Sequence, residues 1–157
     1  MKLVTFAHQD RERIGAVGNA GRIVDLPRAY GAYLREVEFN PAGDQLAAIV
    51  LGSDMVEFLK RGANALDAAR KALAHVAKSS VNGAIVLDRR QVRLLAPVPR
   101  PGALVSAGKN FFDHVAEMAS KKGPSAPVAF LKLPGSVIGP EDDIPHPPEV
   151  KNLDYEV

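Results

Sequence analysis

Ten of the twelve prolines lie at or beyond Pro97, and this uneven distribution constrains the fold more than any other feature of the sequence. Proline fixes its own φ angle and lacks the N–H group that helices and central strands require. The proline-rich segment Ala96–Gly102 is therefore predicted to be an extended connector. It divides the chain into a small first domain, residues 1–95, and a second part, residues 96–157.

Several short segments of the first domain carry apolar residues at alternate positions, which is the pattern of half-buried strands. These segments are residues 2–6, 13–17, 22–26, 84–88 and 92–95. The composition of Gly18–Gly21, between the second and third segments, suits a tight turn with positive φ angles. The first three strands are therefore predicted to form an antiparallel meander.

Two segments between these strands have helical spacing instead. Ser53 is the predicted N-cap of a helix that runs through Lys60. A second amphipathic helix is predicted over residues 63–78, and residues 44–51 are a weaker helical candidate. We therefore predict an α+β fold in which the first domain has antiparallel strands and two helices.

The second part of the chain has a β-rich pattern. Strands are predicted over residues 103–107 and 127–133, and the last residues, Asn152–Val157, resemble the opening of a further strand. The second part is therefore predicted to be β-rich.

Composition excludes several classes of protein. The chain has no cysteine, which excludes disulfides, a thiolate nucleophile and cysteine-bound zinc. Twenty Lys plus Arg against eighteen Asp plus Glu give a net charge of +2 without a dense basic block, so nucleic acid is not an expected partner. Apolar runs are too short to span a membrane, and the first residues lack the apolar stretch of a signal peptide. We expect a soluble cytoplasmic protein.

Residues 108–117 form the densest polar cluster of the sequence. On a helical turn, His114 and Glu117 lie three residues apart and share a face. A carboxylate beside an imidazole raises its basicity, so this pair can act as a general base on water. The alternative is a surface ion pair, which the same spacing produces more often.

Three other groups are candidates for binding chemistry. Lys132 lies in an otherwise apolar strand, on the face of Phe130 and Val128, where a lysine is either at an edge or paired with an acid or anion. Asp154 and Glu156 share a strand face that is suited to beginning a metal site. The acidic residues 141–143, beside Pro and Gly, are more typical of a solvated turn.

The order and spacing of five segments resemble the fumarylacetoacetate hydrolase family in its bacterial two-domain form. These segments are Leu95–Gly102, Gly108–Glu117, Pro127–Lys132, Ile138–Pro140 with Ile144–Pro145, and Leu153–Val157. Each segment alone is weak, whereas five in register are specific. Residues 1–95 fit the small N-terminal domain of longer members less distinctively.

The resemblance implies an enzyme that uses Mg²⁺ or Mn²⁺ and acts on acylpyruvates and related oxo acids. His114 and Glu117 match the family's catalytic dyad, which would activate water for attack on the substrate carbonyl. Glu156 matches the first metal-ligand glutamate, and Lys132 and Asn110 correspond to substrate-binding positions. Most members hydrolyse a carbon–carbon bond next to a ketone, and others decarboxylate or isomerise.

The sequence departs from the family at its end. The family's second glutamate and later aspartate ligands do not follow Glu156, because the chain ends at Val157. The resemblance therefore implies that residues 96–157 hold only the first strands of a larger, incomplete β-rich domain of the fumarylacetoacetate hydrolase type. We therefore expect an inactive N-terminal fragment of a homodimeric hydrolase that cleaves fumarylpyruvate-like oxo acids in aromatic catabolism. The alternatives are a tautomerase of hydroxymuconate-type diacids, an oxaloacetate decarboxylase, or a non-catalytic domain that associates through its exposed final strand.

Overall fold

The computed structural model describes residues 1–79, 83–109 and 125–153. Two compact units make up the chain: Met1–Pro99 together with Ile138–Val157, and Arg100–Val137. The predicted connector Ala96–Gly102 is neither helix nor strand. The division into domains 1–95 and 96–157 stays a prediction.

The first unit contains a five-stranded antiparallel sheet. Its strands are β1 (Leu3–His8), β2 (Arg11–Val17), β3 (Ile23–Asp25), β4 (Val86–Leu87) and β5 (Arg93–Leu94), in the spatial order β4-β3-β2-β1-β5. This confirms the predicted meander of the first three strands. The predicted turn at Gly18–Gly21 also has the expected backbone, since the φ angles of Ala20 and Gly21 are 54° and 71°.

The first unit also contains four helices within the described residues, so the prediction of two helices is wrong. They are α1 (Leu26–Glu36), α2 (Gly43–Leu51), α3 (Met55–Lys60) and α4 (Ala63–Lys78). The bounds of α4 agree with the prediction, and the weaker candidate at residues 44–51 is α2. The N-cap of α3 is Asp54 rather than Ser53, because the Glu57 N–H donates to Asp54 Oδ1 at 2.9 Å.

Helix α1 follows β3 without a loop, which is why the strand pattern concealed it. Asp25 ends β3 and also caps α1, since its Oδ1 accepts a hydrogen bond of 3.2 Å from the Arg28 N–H. Pro27 lies in the first turn, where the missing N–H costs nothing. Leu26, assigned to a strand from its apolar neighbours, is therefore the first residue of the helix.

The helices cover one face of the sheet and bury the main core. Helix α1 packs against both α2 and α4. The core combines residues of the sheet with alanines and a few large apolar residues of the helices: Ile14, Ala16, Val24, Leu26, Ala29, Leu51, Phe58, Ala65, Ala69 and Ala72. The close approach of α1 and α2 requires glycine at position 43, because a Cβ there would lie 2.7 Å from the Gly31 carbonyl oxygen.

A buried carboxylate joins β2, β3 and α1. The Asp25 side chain is 0% exposed, and its Oδ2 lies 3.0 Å from Arg13 Nη1 and 3.7 Å from Arg28 Nε. Burial raises the pKa of Asp25 above its ordinary value of 3.8, while the Arg28 N–H and the two guanidinium groups act in the opposite direction. The carboxylate is thus held by its partners at a site that disfavours its charge.

The acidic segment 141–143 forms a turn, but two of its carboxylates are paired. Asp142 Oδ1 lies 3.1 Å from Arg93 Nη1, its Oδ2 accepts a 2.8 Å hydrogen bond from the Gly139 N–H, and Glu141 forms an ion pair with Arg89. A Cβ at position 139 would lie 3.0 Å from the Leu94 carbonyl oxygen and 2.9 Å from Asp142 Oδ2, so glycine favours the close approach of the turn to β5. The predicted solvated turn is confirmed, since Glu141 and Asp143 are exposed and Asp142 is half-buried, and the pairing of two of its carboxylates with arginines is the added finding.

The cap of α3 predicts a pH-dependent contribution to stability. The hydrogen bond from the Glu57 N–H lowers the pKa of Asp54 below 3.8, so the folded state favours the charged cap. Its contribution is therefore full above the unfolded pKa and is lost as the pH falls through the lower, folded value. We expect Asp54→Ala to cost about 1 kcal/mol near pH 6 and progressively less below pH 3.8, as measured by urea unfolding. An equal cost at all pH values would contradict this prediction.

No helix within the described ranges is long and apolar enough to cross a membrane.

Candidate active site

The described part of the second unit is a two-stranded antiparallel sheet. Its strands are β6 (Leu104–Gly108) and β7 (Val128–Lys132), which confirm the strands predicted at residues 103–107 and 127–133. Lys132 is paired with Leu104, Phe130 with Ser106, and Val128 with Gly108. Residues 110–124, which link the strands, lie outside the described part of the chain.

Lys132, at the end of β7, lies on the predicted face. Alternate residues of a strand share a face, and Lys132 Nζ lies 5.8 Å from the centroid of the Phe130 ring. An ammonium group over an aromatic face is attracted by the ring quadrupole, which orients the lysine side chain. The side chain is half-buried.

The strand pairing adds a polar residue that sequence reasoning did not single out. Ser106 lies directly across from Phe130, and it is half-buried. It therefore belongs to the same face as Lys132. Alternation within β6 places Ser106 on the same face as Leu104, and this could be predicted from the sequence. Only the pairing of β6 with β7 shows that Lys132 lies on that face as well.

The hairpin of β6 and β7 exposes apolar side chains on both faces. On one face Phe130 is 40% exposed, and on the other Val105 and Leu131 are 64% and 76% exposed. A strand pair that is apolar on both sides is typical of a sheet covered on both faces, and an isolated hairpin is marginally stable. This pattern agrees with the β-rich character predicted for the second part.

Four of the five predicted site residues lie outside the described ranges: Asn110, His114, Glu117 and Glu156. Their roles stay predictions. The residue immediately before them, Lys109, has a φ angle of 54°, a conformation that non-glycine residues adopt infrequently.

The described residues do not supply a metal site by themselves. They contain no group of three or more His, Asp or Glu side chains that could hold a metal ion. Glu141 and Asp142 are paired with Arg89 and Arg93. A hard divalent cation requires several oxygen ligands, so a site that used Glu156 would need ligands beyond this part of the chain.

Comparison with known proteins assigns the chain to a family. Residues 103–157 match the family model described as "Fumarylacetoacetate (FAA) hydrolase C-terminal". The chain is 36% identical over 160 residues to the rat protein named "Oxaloacetate tautomerase Fahd2a, mitochondrial", covering 100% of this chain and 43% of the relative. The chain belongs to the fumarylacetoacetate hydrolase family. The resemblance drawn from the five sequence segments is thereby confirmed.

Two other similar proteins extend the comparison. The human protein named "Oxaloacetate tautomerase FAHD2A, mitochondrial" is 37% identical over all of this chain and 43% of its own length. A protein of Staphylococcus epidermidis named "Uncharacterized protein SERP0556" is 27% identical over 99% of this chain and 48% of its own length. The chain thus spans less than half the length of these relatives. Because two of their names specify mitochondria, the predicted cytoplasmic location stays a prediction.

Proposed function

We propose that the protein carrying this chain catalyses keto–enol tautomerisation of a small 2-oxo dicarboxylate such as oxaloacetate. The observation that carries the proposal is the similarity along the whole chain to proteins named oxaloacetate tautomerase, at 36% and 37% identity. This proposal takes the isomerase alternative of the sequence analysis in preference to hydrolysis. Hydrolysis of an acylpyruvate is the second candidate, which the name of the matched family model favours.

The reaction is an internal proton transfer. A base removes a proton from C3 of the keto form, and a proton is delivered to the C2 carbonyl oxygen, so that no water is consumed and no carbon–carbon bond breaks. Such a reaction requires a group that exchanges a proton near neutral pH and a cation that holds the substrate carboxylates in place. Histidine suits the first task because its ordinary pKa is near neutrality.

Lys132 supplies the cation in this proposal. Its ammonium group lies 5.8 Å from the centroid of the Phe130 ring, on the same face of β7. Apolar surroundings lower the local dielectric constant, and the attraction between the ammonium and a substrate carboxylate is then stronger than in bulk water. Ser106 lies on the same face, where its hydroxyl can donate a hydrogen bond to a carboxylate or carbonyl oxygen.

His114 is the proposed proton-transfer group, and Glu117 is proposed to orient its ring and raise its basicity. In the hydrolytic alternative the same two residues would activate water. Asn110, two residues after the half-buried Gly108 that ends β6, is proposed to bind substrate. The homodimer also remains a proposal.

A divalent cation, Mg²⁺ or Mn²⁺, is part of the proposal through Glu156. When bound, such a cation would polarise the oxygens of the oxo acid. We expect EDTA to abolish turnover by the protein in its natural length and added Mg²⁺ or Mn²⁺ to restore it, as followed by the enol absorbance of oxaloacetate. Full activity in EDTA after dialysis would contradict the metal requirement.

The proposed role of Lys132 predicts a selective effect on substrate binding. We expect Lys132→Met to raise KM for oxaloacetate about 10- to 100-fold, because a charge-assisted hydrogen bond is lost. The assay follows the ultraviolet absorbance of the enol, with acylpyruvate hydrolysis measured in parallel on the same preparation. Lys151→Met, at an exposed lysine of the first unit, is the matched control and should leave KM unchanged.

The two substrates separate the candidate functions. Turnover of oxaloacetate without acylpyruvate cleavage supports the tautomerase, and the reverse supports the hydrolase. Absence of both activities in the wild-type protein overturns the proposal. An unchanged KM in Lys132→Met overturns only the role of the lysine.

A further inference from the structure

A cavity of about 560 Å³ opens in the first unit, between the end of α4 and the turn that joins β2 to β3. This volume lies within the range of about 300–1,000 Å³ that is typical of small-molecule sites. Lys132, the predicted active-site residue that the structure describes, is not among the residues that line it. The cavity therefore offers a second place where a ligand can bind.

The walls of the cavity are aliphatic and preformed. Val24 of β3, Val86 of β4, and Leu73 and Val76 of α4 line it. Val24 is 2% exposed and belongs to the main core, and the other three pack against that core. Among the described residues the lining contains no aromatic side chain, so the walls suit a flexible alkyl chain rather than a ring that requires stacking.

The rim of the cavity is polar and carries one positive charge. Arg22, Asn19 and Ser79 contribute to the lining. Arg22 is exposed, so its guanidinium group is positioned at the solvent side of the rim. A guanidinium beside an aliphatic wall is suited to binding a carboxylate with two parallel hydrogen bonds.

The surrounding charges favour an anion of low charge. The cavity adjoins the C-terminal end of α4, where the unpaired carbonyl groups carry partial negative charge. Asp88 is near enough for Arg22 to contribute to lowering the pKa of its carboxyl group. One arginine against these negative groups suits a single carboxylate better than a phosphate dianion.

We propose that this cavity is a binding site for a small aliphatic monocarboxylate. Arg22 binds the carboxylate at the rim, Ser79 and Asn19 supply further hydrogen-bonding groups, and the alkyl chain lies against Val24, Val76 and Val86. The site lies within the first unit and does not depend on the catalytic activity proposed above.

The test is a calorimetric titration of the 157-residue chain with straight-chain monocarboxylates from acetate to octanoate. Each added methylene is expected to tighten binding about fourfold until the cavity is filled, because each buries a similar apolar area. Arg22→Gln is expected to weaken binding of every acid by about three- to tenfold. Ala77→Phe, at an exposed position of the lining, is expected to weaken the longer acids selectively by filling the cavity.

Arg11→Gln is the matched control, because Arg11 is an exposed arginine at the opposite end of β2. Thermal melts of all three variants verify that the first unit remains folded. Three outcomes overturn the proposal: no saturable binding of octanoate, affinity that does not depend on chain length, or equal weakening by Arg22→Gln and Arg11→Gln. The proposal is supported if affinity rises with chain length, Arg22→Gln weakens binding of every acid, and Ala77→Phe weakens binding of the longer acids selectively.

Discussion

Replacing Asp25 by alanine is expected to reduce the free energy of unfolding of the first unit by about 3–5 kcal/mol. The substitution removes the acceptor of the α1 cap and leaves Arg13, whose side chain is 17% exposed, without the partner that compensates its burial. An uncompensated buried charge costs more than a lost surface contact, because the desolvation penalty remains after the attraction is gone. Urea unfolding followed by circular dichroism measures the loss.

A less severe substitution separates the contribution of Asp25 to the α1 cap from its contribution to the ion pair with Arg13. Asp25→Asn retains a carbonyl oxygen that can accept from the Arg28 N–H, and it loses only the charge that faces Arg13. We expect it to cost less than Asp25→Ala. Asp54→Ala is the matched control, since Asp54 caps α3 in the same way without a buried ion pair, and it should cost only about 1 kcal/mol. Equal losses for Asp25→Ala and Asp54→Ala would show that the ion pair contributes nothing.

Replacing His114 by asparagine is expected to reduce kcat for tautomerisation by about 10²- to 10⁴-fold, with a smaller effect on KM. The reason is that asparagine preserves polarity and approximate size but cannot exchange a proton near neutral pH. His146→Asn is the matched control, because His146 is an exposed histidine of the first unit, with its Nε2 atom 2.7 Å from the Val150 carbonyl oxygen. It should leave kcat unchanged.

Glu117, the proposed partner of His114, predicts a change in the pH dependence of the rate. Glu117→Gln removes the carboxylate that is proposed to raise the basicity of the imidazole, so the lower limb of the pH–rate profile should move to lower pH. A loss of activity without this shift would assign Glu117 a structural role. Wild-type kcat in His114→Asn would eliminate the proposed dyad altogether.

Local patterns in the sequence predicted a large part of the fold. The apolar spacing of α4 defined its bounds, because each turn of an amphipathic helix repeats within four residues. The alternation in β1 and β2 and the glycines of the turn before β3 were equally local. Helix α1 was missed because Asp25 belongs both to a strand and to a helix cap, and a short strand pattern continues without a break into Leu26.

The candidate site was predictable only in part. Lys132 was singled out because a charged residue interrupts an apolar strand, and the described structure agrees on its strand and its face. Ser106 was missed, since its relation to Phe130 depends on the register between two strands separated by residues 109–127. The pairing of Asp142 with Arg93 likewise could not be predicted from the acidic turn alone, because the two residues are 49 positions apart in the chain.

The sequence by itself determined the strand and helix patterns of the first unit, the chemistry of its turns and the membership of the family. These properties depend on residues within a few positions of one another or on the order of short motifs. Only the tertiary structure decided that Asp25 is a buried ion-pair partner, that the turn at Gly139–Asp142 is tied to β5, and that α4 and the β2–β3 turn enclose a cavity. Each of these depends on the distance between residues far apart in the chain, which chain folding sets and no local pattern encodes.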